Sequence, residues 1–202
     1  MSVLGRGSLL VLWSLLTSTG ACASAASSAA ARPAERSFIG TVPGTDAVVA
    51  LVATDTSATF YVCGGPSTFG SLTRWFSGTA DANSLHLTSP DTATVEGTID
   101  ATTAQGTLNL PDGSTRPWTA RPKSVGTDEG LYATVDQGCR TGVVVTQPTA
   151  EATPSVQGTW CNLSNDHVQV TPVMPFVRQG SALEVLVAAR ALFVSPVVLS
   201  SP

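Results

Sequence analysis

From Ser37 onward, runs of Val, Ile, Leu, Thr and aromatic residues alternate with Gly, Pro and Asp. β-Branched and aromatic side chains suit a pleated, half-buried surface, and turn-forming residues stop each run, so the pattern predicts strands rather than helices. The expected strands are 37–42, 46–53, 57–63, 71–78, 83–88, 93–99, 104–110, 115–121, 130–135, 140–147, 156–163, 167–173, 183–189 and 191–198. Alternation is visible in several. Leu85 and Leu87 share a face while His86 points away, and Val95, Gly97 and Ile99 oppose Glu96, Thr98 and Asp100. No stretch keeps a 3.6-residue apolar period over three turns, although 181–193 also fits a helix. The expected fold is therefore all-β: an antiparallel meander forming a barrel or sandwich over 37–202, either one domain or two packed β units, 37–125 and 126–202.

One turn is specified more closely. Leu110-Pro111-Asp112-Gly113 suits a type I turn with Gly113 left-handed, giving a bulged hairpin. That register places Trp118 opposite Gly106, on the face of Leu108 and Leu110, where the indole would cover the surface the glycine leaves bare. Trp75-Phe76 lies mid-strand, so one ring is expected inside and the other outside.

The N-terminal pattern is different. Arg6 precedes an apolar run at 8–19 (SLLVLWSLLTST), followed by Gly20-Ala21-Cys22. A positive residue, a short apolar stretch and small residues make a secretory signal, expected over 1–21. The pair before Cys22 resembles a bacterial lipoprotein signal, which implies that Cys22 carries a lipid; Thr19 stands where Leu is usual. Cleavage by the ordinary signal peptidase near Ala21–Ala25 is the alternative. Residues 22–36 are small, polar and unpatterned, as in a flexible tether. A second apolar run, 182–199, is interrupted by Glu184, Arg190 and Pro196 and reads as buried strand.

Composition narrows the partners. The net charge is −4 and Lys123 is the single lysine, so no basic cluster offers a footprint for nucleic acid. Of the cysteines beyond Cys22, a hairpin of 140–147 with 156–163 would bring Cys139 to Cys161. Such a bridge suits an oxidising compartment and adds about 3 kcal/mol. Cys63 ends an apolar run and reads as a buried thiol, its pairing with Cys139 or Cys161 being the alternative.

Enzyme signatures are sparse. No Gly-x-Ser-x-Gly elbow, zinc-binding helix, phosphate-binding glycine loop or calcium loop occurs. His86 is an outward strand residue and His167 follows a turn, without the spacing of a metal site. Glu96 and Asp100 lie roughly 13 Å apart along one strand face, beyond the reach of paired catalytic carboxylates. Tyr61, Trp75, Trp118 and Trp160 remain as candidate pocket-lining aromatics or as large core residues. No cofactor is expected.

Several segments resemble an uncharacterised exported β-domain of actinobacteria and other GC-rich bacteria. They are Tyr61-Val62-Cys63-Gly64-Gly65, Trp75-Phe76-Ser77-Gly78, Leu85–Thr88, Gly106 through Gly113, Trp118-Thr119-Ala120 and Gly130-Leu131-Tyr132. The resemblance spans 45–135 and implies a compact β-meander with Cys63 unpaired in the core; it implies no catalytic residue. The expected protein is an exported, lipid-anchored envelope protein, membrane-held through Cys22, that acts as a non-catalytic binding or interaction module. A structural secreted surface protein and a hydrolase of unrecognised type are the alternatives.

Overall fold

The computed structural model describes residues 34–199 except Ala82 and Asn165; the expected signal segment, Cys22 and the tether to residue 33 lie outside the described residues. Among the described residues the regular structure is nearly all β-strand, with a single four-residue helix.

The first eight strands are β1 (Arg36–Thr41), β2 (Val48–Ala53), β3 (Ser57–Cys63), β4 (Arg74–Ala80), β5 (Ser84–Thr88), β6 (Thr94–Ile99), β7 (Ala104–Asn109) and β8 (Thr115–Pro122). Each pairs antiparallel with the next, and β8 returns to β1 through Gly40↔Ala120, closing a barrel. An eight-stranded barrel is just wide enough for side chains to fill it. Phe38, Leu51, Phe60, Phe76, Leu87 and Trp118 are among the buried residues that do so. Phe60 lies at the centre, 5.9 Å from the Phe76 ring and 4.8 Å from the Trp118 ring.

The turn at Leu110–Gly113 forms as expected. Gly113 has φ +82° and donates its N–H to the Leu110 carbonyl at 3.0 Å. Gly106 faces Trp118 across the ladder, and Gly97 faces Gly106 on the other side. A Cβ at Gly97 would stand 2.8 Å from Trp118 Cζ2, so the indole lies across a floor of two glycines. Trp118 and Leu108 share the barrel interior.

The strand expected at 71–78 begins late, at Arg74, because a one-turn helix α1 (Phe69–Leu72) precedes it. The Asp46 carboxylate organises this segment by accepting the Ser67 N–H and the Thr68 hydroxyl, and Leu72 drops into the barrel core.

The second sheet comprises β9 (Gly130–Asp136), β10 (Cys139–Thr146), β11 (Ser155–Cys161), β12 (His167–Gln169), β13 (Thr171–Pro172), β14 (Arg178–Gln179), β15 (Ala182–Val187) and β16 (Arg190–Pro196). Its order is β12-β11-β10-β9-β16-β15-β13, with β14 also on β15. Only Val170 separates β12 from β13, so the two ends of the sheet belong to one run and the sheet curls round on itself. Tyr132, Val143, Val145, Trp160, Leu183 and Val194 are buried within the curl. The 181–193 segment is a hairpin and not a helix. Its turn residues Ala188 and Ala189 have φ +47° and +67°, which a right-handed helix excludes and a two-residue hairpin turn requires.

Cys139 and Cys161 are disulfide-bonded, with 5.6 Å between their Cα atoms, and Cys63 is a free buried thiol. The Gly142↔Thr159 register sets the two half-cystines one residue out of direct opposition, still within bridging distance.

β10 is buried on both faces. Val143 and Val145 enter the core of the second sheet, while Val144 and Leu131 pack on Ile39, Ala50, Val52, Tyr61 and Cys63 from the outside of the barrel. Cys63 is thus covered by the second sheet rather than enclosed in the barrel. Gln157 on β11 spans the same seam, donating to the carbonyl oxygens of Cys63 at 2.5 Å and Asp46 at 3.2 Å.

Candidate functional site: a groove between barrel and second sheet

The two sheets part at one end of their seam, and there Tyr61 and Trp75 form the wall. They are direct cross-strand neighbours on β3 and β4, and the closed barrel turns both outward while Phe60 and Phe76 point in. The rings stack at 4.3 Å with 30° between planes. β10 meets this pair with a glycine: a Cβ at Gly142 would fall 2.6 Å from Tyr61 Cζ and 2.7 Å from Trp75 Cζ2. Any larger residue would push the aromatic pair off the second sheet.

Two residues along β10, on the same face, Arg140 places its guanidinium 3.6 Å from the centroid of a Trp75 ring. Trp75 Nε1 donates to the Arg140 carbonyl at 3.2 Å. The indole is therefore held by a stack, a hydrogen bond and a cation at once. The groove beside it encloses about 300 Å³ and is also lined by Arg74, Asp91, Thr159, His167 and the disulfide. Arg74 and Asp91 pair at 3.0 Å. Burial disfavours the Asp91 anion, but the Ser89 hydroxyl and Arg74 outweigh it and hold the carboxyl below its ordinary value.

The base of the groove is neutral and polar. The Tyr61 hydroxyl is buried and makes no hydrogen bond, although Thr159 and Cys63 are its neighbours. Thr159 Oγ1 lies 3.6 Å from Cys63 Sγ. Burial pushes both the Tyr61 hydroxyl and the Cys63 thiol upward from their usual values, so each stays protonated at neutral pH. A protonated, enclosed thiol is a poor nucleophile.

The structure gathers two of the four candidate aromatics. Trp118 fills the barrel interior, and Trp160 packs in the second core with its Nε1 donating to Asp136 at 2.7 Å. His167 reaches the groove, whereas His86 stands opposite Glu96 on the outside of the barrel, beside a wider and more open depression of about 700 Å³ that the edge of Trp118 also lines. Among the described residues no three His, Cys, Asp or Glu side chains gather as a metal site.

Arg140, Gly142, Arg74 and Asp91 were not among the candidates from sequence. The signal for Gly142 is the run Arg140-Thr141-Gly142-Val143-Val144-Val145, in which both alternating sets are apolar toward one end. Such a strand is covered on both faces, and a glycine in it marks a close approach by whatever does the covering. Which aromatic pair approaches depends on residues about 65 positions earlier.

The chain matches no protein-family model, no curated protein and no solved structure.

Proposed function

We propose that the protein is an exported, lipid-anchored envelope protein working as a non-catalytic binding module, with the groove at Trp75 as its ligand site. One observation carries the binding role: an aromatic pair, fixed on three sides, opens beside a cationic side chain onto a groove the size of a small molecule. Ligand sites combine apolar walls with a few placed polar groups in this way. The disulfide supports export, because such bonds persist in oxidising compartments. The signal-like pattern ending at Cys22 supports the anchor.

Two measurements test the two halves of this reading. With radiolabelled palmitate, wild type is expected to take up label and Cys22→Ala to take up none; absence from both removes the anchor. For the groove, solubilised envelope fractions titrated into labelled protein are expected to shift amide resonances at Trp75, Arg140 and His167. A response confined to the outer face of β5 to β8 would move the ligand site to the depression there, and no response would favour a purely structural role.

A further inference from the structure

We propose that the groove takes a small ligand carrying both a ring face and a carboxylate, with the carboxylate held by Arg140. The inference rests on the groove being the ligand site. Arg36, Arg74, Arg121, Arg178 and Arg190 each lie against an Asp or Glu. The Arg140 guanidinium has no carboxylate or hydrogen-bond partner among the described residues, and what holds it is the Trp75 ring. Stacking occupies the flat face of a guanidinium and leaves the N–H groups around its rim, the edge that matches two carboxylate oxygens.

The charge balance agrees. Arg74 and Asp91 neutralise each other on the groove wall, and His167 adds no negative charge, so Arg140 sets the sign. Partial burial lowers the Arg140 pKa from its ordinary value, which means an incoming anion relieves a cost already present. The half-buried Trp75 and the disulfide supply the apolar surface for a ring, with the buried Tyr61 stacked behind Trp75 as its support. The volume, about 300 Å³, is at the small end for ligand sites and suits one ring with its acid group.

An acidic sugar and an aromatic acid both have this chemistry, and four probes separate them: glucuronate against glucose, and benzoate against benzyl alcohol. One acid is expected to shift the Trp75 and Arg140 amides with an affinity about tenfold above that of its neutral counterpart, the value of a charge-assisted hydrogen bond. Arg140→Gln should erase that preference. Arg140→Lys, which keeps the charge without the planar fork, should retain part of it, and unchanged thermal melting of both variants guards against a folding effect. Equal binding of an acid and its neutral counterpart, silence with both acids, or a preference that survives Arg140→Gln would each overturn the anion assignment. If envelope fractions still shift the groove amides in such a case, the groove remains the ligand site and only its ligand class falls.

Discussion

Replacing Glu129 with alanine is expected to destabilise the protein by about 3 kcal/mol, read as a lowered urea midpoint at neutral pH. The Glu129 side chain is fully enclosed where the chain passes from the barrel to the second sheet. Arg121 donates to its two oxygens at 2.8 and 2.7 Å, and the backbone N–H groups of Ser124 and Gln147 donate at 2.7 and 3.1 Å. Truncation strands two backbone donors, and each buried unsatisfied group costs about 1–3 kcal/mol. Arg121 is 45 % exposed and returns to water, which keeps the loss below that of stranding a buried charge. Glu129→Gln keeps the shape but turns one acceptor into a donor facing donors, so it is expected to recover only part of the stability.

The same site gives a pH test. Burial works against the Glu129 anion, yet the hydrogen bonds from Arg121, Ser124 and Gln147 outweigh it and hold the carboxyl below its ordinary value. A lowered folded-state pKa gives stabilisation that is complete above the unfolded glutamate value, about 4.3. It is lost as pH falls through the folded value. Asp46, Asp100, Asp112 and Asp136 are lowered as well, so wild type as a whole weakens in acid. The difference between wild type and Glu129→Ala isolates the one group: it should be largest near neutrality and shrink below about pH 4. A difference that stays constant with pH would refute the carboxylate's role.

What the sequence made legible was whatever its local alternation determines. Twelve of the fourteen expected strands run close to their observed bounds because the period-2 pattern and its turn residues are local signals. The run 167–173 is divided at Val170 into β12 and β13, and the two-residue β14 carries no such pattern. The run 71–78 is shifted by the segment that Asp46, more than twenty residues away, holds at Ser67 and Thr68. Closure was not legible, since barrel and sandwich share the same strands and differ by the β1 to β8 pairing. The groove divides in the same way. Tyr61 and Trp75 stood out as aromatics in strands, but alternation places both outward on the barrel only once Phe60 and Phe76 are known to fill it. Arg140 had no local mark, because its meaning comes from a ring contributed by a different sheet. Glu129, beside Asp128 at a strand entry, reads as a solvated turn residue until Arg121 is brought back to it.

Removing the disulfide with a Cys139→Ser, Cys161→Ser double variant is expected to cost a further large increment, about 3 kcal/mol for a loop of this length in the chain-entropy account. The bond spans a sequence separation of 22 and joins the ends of β10 and β11. Its place in the fold says where the loss should fall. β12 is three exposed residues held by the end of β11, and with β13 it is the run that closes the second sheet. Tying Cys161 to β10 fixes the edge on which that closure depends. Amide exchange in the double variant should therefore rise first at Thr159–Cys161 and His167–Gln169, while β2 and β3, enclosed between two cores, keep their protection. Reduced wild type should match the double variant in its urea midpoint. A reduced protein as stable as the oxidised one, or exchange rising equally in the barrel, would show that the curl of the second sheet is held by packing on Trp160 and Leu183 without help from the bond. The groove gives the same prediction a functional edge, because Arg140 follows Cys139 directly and a loosened strand end would free its guanidinium from Trp75.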